Sequence, residues 1–259
     1  NVVSVAGRPG MGKTSLATNI AFHVASEGKT ALILSMEMAA QELADRLIAQ
    51  AGSVPLAEVL AGNMEGDTGE RIMVGVSRLA ELPIVIDNQG GLTLFELASK
   101  ARSVKRRKGN LGLIVVDYLQ LMDGEGDNRN SQIEGISRGV KALAKELEVP
   151  IILLSQLNRS CESRTNRRPV ASDLRESGAI EQDADVICMV YRDEIYNRDS
   201  PDRGTAEVGI IKNRQGAPGM VRLSYVGQYT RFANLARGWV PEEVAEQKQT
   251  FRRRGKHDF

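Results

Sequence analysis

The stretch "GRPGMGKT" at residues 7–14 places three glycines, a lysine and a threonine in the order G-x-x-x-x-G-K-T. Glycines at 7, 10 and 12 let backbone N–H groups converge on phosphate oxygens, and a helix opening at the lysine adds the partial positive charge of its N-terminus. Lys13 is then placed to reach the terminal phosphates of a nucleotide, and the Thr14 hydroxyl to ligate magnesium. On this pattern Gly10, Met11, Gly12, Lys13, Thr14 and Ser15 are the expected nucleotide-binding residues. The pattern needs a strand before it and a helix after it. "VVSVA" (2–6) supplies the first, and Leu16, Ile20 and Val24 on one helical face supply the second.

Magnesium in such a loop needs a carboxylate from the end of a neighbouring strand. "LIVVD" delivers Asp117 after four apolar residues, and Asp87 after "IVI" has the same shape. Asp117 is preferred because its strand is the more apolar. Hydrolysis also needs a base or water-positioning group near the last phosphate. Glu37 follows "TALILSM" and Gln156 follows "IILLS", both at strand ends. The residues alone leave Glu37 open as a base or as a helix cap. A further pair, Lys212 and Arg214 in "GIIKNRQGAPG", lies two positions apart where a strand meets a turn. Residues so spaced lean to one face of a strand. They either face an anion or guard a strand edge against pairing.

The elements that must position these groups alternate. Apolar runs at 2–6, 30–35, 84–87, 113–117, 151–155 and 186–190 read as strands, several apolar at every position as in a doubly covered parallel sheet. Amphipathic helices lie between them, the clearest over 132–148 with Ile133, Ile136, Val140, Leu143 and Leu147 in register. After residue 190 the runs "EVGIIK", "VRLSY" and "RFANL" are short and separated by glycine-rich turns, which predicts an antiparallel extension. The expected fold is therefore α/β, a mostly parallel sheet flanked by helices.

With 42% hydrophobic and 26% charged residues the chain has the composition of a globular domain. Its 34 basic against 33 acidic residues exclude a general polycation, so any nucleic-acid surface must come from local clustering. No apolar run reaches the ~18–20 residues of a membrane span. Cys161 and Cys188 lie far apart, and His23 and His257 have no second ligand at metal spacing. Two isolated thiols suit a reducing compartment, here the cytoplasm. The chain begins at Asn1 and enters almost directly into a strand, so a fragment without a leader is expected.

The glycine-rich loop, "SMEM" (35–38), "DYLQLM" (117–122), "LSQLNR" (154–159), "RRPVASDLRESGAIEQDAD" (167–185) and "YRDE" (191–194) occur in that order. Together they resemble the C-terminal ATPase domain of DnaB-type replicative DNA helicases, over about residues 1–235. The resemblance implies a RecA-like P-loop fold, a ring of six identical subunits, and movement along single-stranded DNA driven by hydrolysis of ATP or another NTP with Mg²⁺. It gives Glu37 the role of the glutamate that polarises the attacking water, Asp117 that of the Walker B magnesium carboxylate, and Gln156 that of the γ-phosphate sensor. It makes Lys212 and Arg214 a cation pair that reaches a neighbour's nucleotide in trans, and Arg175, Glu176 and Gly178 contacts to the DNA backbone. It implies a primase and a helicase loader as partners. Residues 1–240 are then the motor domain and 241–259 a flexible basic tail, with the family's N-terminal domain and linker helix absent. "KNRQG" departs from the family's more frequent Asn at Gln215. A RecA-like recombinase and a non-motor P-loop assembly ATPase are the rival readings.

Residues 159–175 carry five arginines against Glu162 and Asp173, in a segment with no evident secondary structure. No aromatic residue occurs between Tyr118 and Tyr191, so the segment suits backbone phosphates rather than stacked bases. Lys105–Lys108 read as a solvated helix end, where cations complement the helix dipole.

Overall fold

The structure, a computed structural model, describes residues 1–236 and 239, with the side chains of 175–178 outside that description. The basic tail 241–259 also lies outside the described residues. In chain order the main elements are β1 (Val2–Gly7), α1 (Lys13–Ser26), β2 (Thr30–Ser35), α2 (Ala40–Gly52), α3 (Leu56–Ala61), α4 (Gly66–Glu81), β3 (Ile84–Asp87) and α5 (Leu94–Lys108). They continue with β4 (Leu111–Asp117), α6 (Arg129–Glu146), β5 (Ile151–Gln156), α7 (Gly178–Asp183), β6 (Val186–Tyr191), β7 (Thr205–Asn213), β8 (Gly219–Val226) and β9 (Arg231–Ala233).

The strands form one sheet in the order β3-β2-β4-β5-β1-β6-β7-β8-β9. It is parallel from β3 to β6 and antiparallel from β6 to β9, as the change in pattern after residue 190 predicts. Side chains alternate across a strand, and each central strand divides its residues between two cores. Leu32, Leu34, Ile114, Val116, Ile151 and Leu153 face the side covered by α5 and α6, where Leu97, Ala101, Ile133, Ile136 and Val140 meet them. Ala31, Ile33, Leu113, Val115, Ile152 and Leu154 face the side covered by α1 and α2, against Leu16, Ala17, Ala21 and Leu43. Burying one such leucine or isoleucine side chain is worth ~1.5–3 kcal/mol. This double covering explains why these runs are apolar throughout.

Local signals set the helix starts. Thr93 and Glu96 form a capping box on α5, with Glu96 N–H donating to Thr93 Oγ1 at 3.2 Å and Thr93 N–H to Glu96 Oε2 at 2.9 Å. Asn128 Oδ1 accepts from Ser131 N–H at 2.9 Å, so α6 opens three residues before the predicted start. In contrast α1 follows Gly12 at φ 94° with no side-chain cap, which leaves that helix end to an anion.

Two expectations are corrected. "RFANL" is a strand only over Arg231–Ala233. The arginine-rich segment is folded, with short 3₁₀ turns at Arg159–Ser163 and Ala171–Ser177. Arg164 forks onto buried Asp173 at 3.0 and 2.6 Å, and Arg168 forks onto buried Glu207 of β7 at 2.7 and 2.9 Å. Those two guanidinium groups hold the segment to the sheet and are not free phosphate ligands. Among the described residues no helix is long and apolar enough to cross a membrane.

Candidate active site

β1 lies between β5 and β6, where the sheet order reverses, and its carboxyl end opens the crevice that parallel sheets offer to ligands. The glycine-rich loop leaves β1 there and turns into α1. Its neighbours in register bring the other candidates to the same edge. Gly7 pairs with Gln156 at the end of β5. Ser35 pairs with Asp117 at the end of β4, and Met36 N–H donates to the Asp117 carbonyl at 2.7 Å, which sets Glu37 just beyond.

Thr14 Oγ1 donates to Asp117 Oδ2 at 2.9 Å. The other carboxylate oxygen, Oδ1, is buried with no hydrogen-bond partner. Burial, and then the charge of Glu37, push the Asp117 carboxyl up from 3.8 to about 6, against the Thr14 hydrogen bond and the Lys13 charge, which favour the ion. Burial depresses the Lys13 ammonium, partly offset by Asp117 and Glu37. In this state Lys13 Nζ rests on the Arg8 carbonyl at 3.3 Å. A buried carboxylate with one unused oxygen beside a threonine hydroxyl is a fitting donor set for Mg²⁺, whose remaining positions are filled by phosphate and water. Among the described residues no group of three His, Cys, Asp or Glu side chains could hold a metal without such help.

Asp87, the rival carboxylate, is on edge strand β3 and pairs with Lys100 at 2.5 Å, remote from this constellation. Met11 has a buried side chain that packs in the α1–α2 core, and its N–H donates to the Arg8 carbonyl at 3.3 Å. Gly10, Gly12, Lys13, Thr14, Ser15 and Glu37 all line one cleft of 510 Å³.

Lys212 and Arg214 are elsewhere. β7 runs antiparallel to β6, pairing Ile187 with Lys212, while Ile187 in turn pairs with Ser4 of β1. The cations therefore sit near the amino ends of the parallel strands. Three residues of strand rise, ~10 Å, separate Ser4 from Gly7 along β1, and two further strand spacings of ~4.8 Å lie across the sheet. Both side chains instead cap the end of α7: Lys212 Nζ bonds the Glu181 and Gln182 carbonyls, and Arg214 Nη2 donates to Gln182 O at 2.7 Å. Arg214 also lies 3.5 Å from the Asp185 carboxylate while keeping its side chain half exposed. The side chains of Arg175, Glu176 and Gly178 lie outside the described residues.

Sequence reading missed Tyr225 and Arg46, which also line the cleft. Tyr225, on β8, packs at 4.9 Å against the Phe232 ring and under the Arg192 guanidinium at 3.9 Å. Arg192 Nη1 donates to the Gly10 carbonyl at 3.0 Å. Some 210 residues separate Tyr225 from the loop it adjoins, and no spacing rule joins them. Arg46 lies on α2, and its charge opposes the upward push on Asp117.

Known proteins share this arrangement. Over 241 residues the chain is 48% identical to "Replicative DNA helicase DnaB" of Pasteurella multocida (strain Pm70), covering 91% of this chain and 52% of that protein. It is 41% identical to the protein of the same name from Geobacillus stearothermophilus, covering 92% and 53%. The chain thus spans about half the length of the curated relatives it matches. A DnaB-like replicative helicase solved with its primase interactions superposes with a TM-score of 0.88 at 36% identity, over 91% of this chain and 59% of the other. A second solved protein, an isolated ATPase domain, gives the same score and identity, over 91% and 85%. The family model described as "DnaB-like helicase C terminal domain" matches residues 1–234, and the chain belongs to that family.

Proposed function

We propose that this chain is the ATP-hydrolysing motor of a ring-forming replicative DNA helicase, working at nucleotide sites shared between neighbouring subunits. The observation that carries the reading is an incomplete site. Lys13, Thr14, Asp117 and Glu37 gather at one edge of the sheet, while Lys212 and Arg214 stand near the other. A second copy of the chain is the natural source of the missing cations.

In this reading the loop backbone and Lys13 hold the phosphates, and Lys13 leaves the Arg8 carbonyl to do so. Thr14 and Asp117 would hold Mg²⁺, which when bound neutralises charge on the phosphate oxygens. Glu37 orients the attacking water and takes its proton. Gln156, one strand away from the loop, senses the terminal phosphate. Arg214 and Lys212 of the neighbouring subunit stabilise charge developing on the transferred group, an effect of ~10³–10⁵ in rate for such fingers. Tyr225 offers a ring face to the base. Single-stranded DNA passes Arg175, Glu176 and Gly178 in a homo-hexamer, and a primase and a loader act as partners, the former by analogy with the relative solved with primase. The two free thiols fit a cytoplasmic setting.

The test is complementation. Lys13→Ala and Arg214→Ala are each expected to lose single-stranded-DNA-stimulated ATPase, and mixing them to restore part of it, because each supplies what its neighbour lacks. An Arg214→Ala chain with full activity, linear in protein concentration, would remove the shared-site reading.

A further inference from the structure

Arg8, the second residue of the glycine-rich loop, is a buried arginine that does not itself line the cleft. Its two ends face different machinery. The carbonyl oxygen accepts from Lys13 Nζ at 3.3 Å and from Met11 N–H at 3.3 Å. The guanidinium leaves the loop altogether, donating from Nη1 to the Leu157 carbonyl at 2.7 Å and from Nε to Glu162 Oε1 at 2.7 Å. Leu157 directly follows Gln156, and Glu162 lies in the turn Arg159–Ser163. That turn is tied onward, because Asn158 N–H donates to the Asp173 carbonyl at 3.1 Å and Asp173 belongs to the turn Ala171–Ser177. Arg175 and Glu176 are in that second turn.

From this geometry we infer that Arg8 is a positioning residue that couples nucleotide loading to the DNA-facing segment, with Glu162 as its partner. Filling the loop with phosphates draws Lys13 off the Arg8 carbonyl. The change is felt by a rigid planar fork whose far side holds Leu157 and Glu162. A planar guanidinium can serve both acceptors at once, which a lysine cannot. The same linkage runs backwards: DNA held by the segment biases Arg8, and through it the resting place of Lys13. Mere adjacency does not establish coupling, and a measured coupling factor does. The inference deepens the motor reading and rests on it.

The experiment measures ATPase with and without poly-dT, and the affinity for a labelled oligo-dT with and without a non-hydrolysable ATP analogue. The proteins are the chain itself, Glu162→Gln, Glu162→Asp and Arg8→Lys. Glu162→Gln is expected to keep its DNA-free kcat and KM and its melting temperature, while the DNA stimulation factor falls about fivefold or more. The analogue's effect on DNA affinity must fall by the same factor, since coupling between two ligands is reciprocal. Glu162→Asp should recover part of both, and Arg8→Lys should lose both. Full stimulation in Glu162→Gln overturns the inference, as does a loss of DNA-free rate and melting temperature in step with stimulation, which would mark a merely structural pair. If the unaltered chain shows no DNA stimulation at all, the motor reading itself fails, a different result from a stimulated chain with an indifferent Glu162→Gln.

Discussion

Asp117→Asn should stabilise the nucleotide-free chain while destroying its use. Ionised Asp117 is buried, one of its oxygens has no partner, and its carboxyl is pushed from 3.8 to about 6. Each tenfold change in a protonation equilibrium is worth about 1.4 kcal/mol, so the buried charge costs at most about 3 kcal/mol. The sign follows from linkage. Below pH 3.8 the carboxyl is protonated folded and unfolded, and contributes nothing. Between 3.8 and about 6 the unfolded chain ionises first, so the folded chain binds more protons and stability falls as pH rises. Above about 6 the full cost is present. Asparagine keeps the shape, can still accept from Thr14, and removes the charge. It also strips Lys13 of a favourable neighbour, which makes 3 kcal/mol a ceiling. For a domain of this size 1 kcal/mol moves Tm by ~2–4 °C. The variant should therefore melt up to ~10 °C above the parent at pH 8, and by about half that margin at pH 5, in scans without nucleotide or metal. The Mg²⁺·ATP-dependent rise in Tm seen with the parent should vanish. An Asp117→Asn chain that melts at or below the parent at pH 8, or with a margin indifferent to pH, would refute the argument.

Glu37→Gln should retain nucleotide-dependent thermal stabilisation yet hydrolyse ATP ~10²–10⁴-fold more slowly in single-turnover assays, the range for a lost general base. Gly12→Ala forces a side chain into φ 94° and sets its Cβ 3.1 Å from the Phe232 ring, so chemical denaturation should show a loss of ~1–3 kcal/mol together with weaker nucleotide binding. Arg168→Ala removes a forked partner from buried Glu207 and leaves it only Arg222; a stability loss of ~1–3 kcal/mol is expected in urea, with proteolysis within 159–175 accelerated.

The nucleotide half of the site was legible because its chemistry is local. A phosphate cradle needs glycine at fixed offsets, so "GRPGMGKT" between a strand and a helix has little room for another meaning. Glu37, Asp117 and Gln156 were legible for a related reason: parallel strands end at one edge, and a polar residue that closes an apolar run must arrive there. Choosing Asp117 over Asp87 needed the strand order, since both close such a run and only one strand lies near β1. The arginine-rich segment was misread as open because Asp173 and Glu207, which bind Arg164 and Arg168, are set by folding and not by neighbourhood.

The sequence by itself determined the α/β alternation, the antiparallel change after residue 190, the phosphate loop and its acidic partners, because periodicity and glycine placement act over a few residues. Only the tertiary structure decided which carboxylate meets Thr14, that Tyr225 and Arg192 adjoin a loop some two hundred residues away, and that Arg8 reaches the Arg159–Ser163 turn. It also decided that Lys212 and Arg214 stand away from their own loop, because a strand's direction in the sheet, antiparallel for β7, sets which edge its last residues occupy. Contacts of this kind arise from strand order and packing, and no residue spacing encodes them.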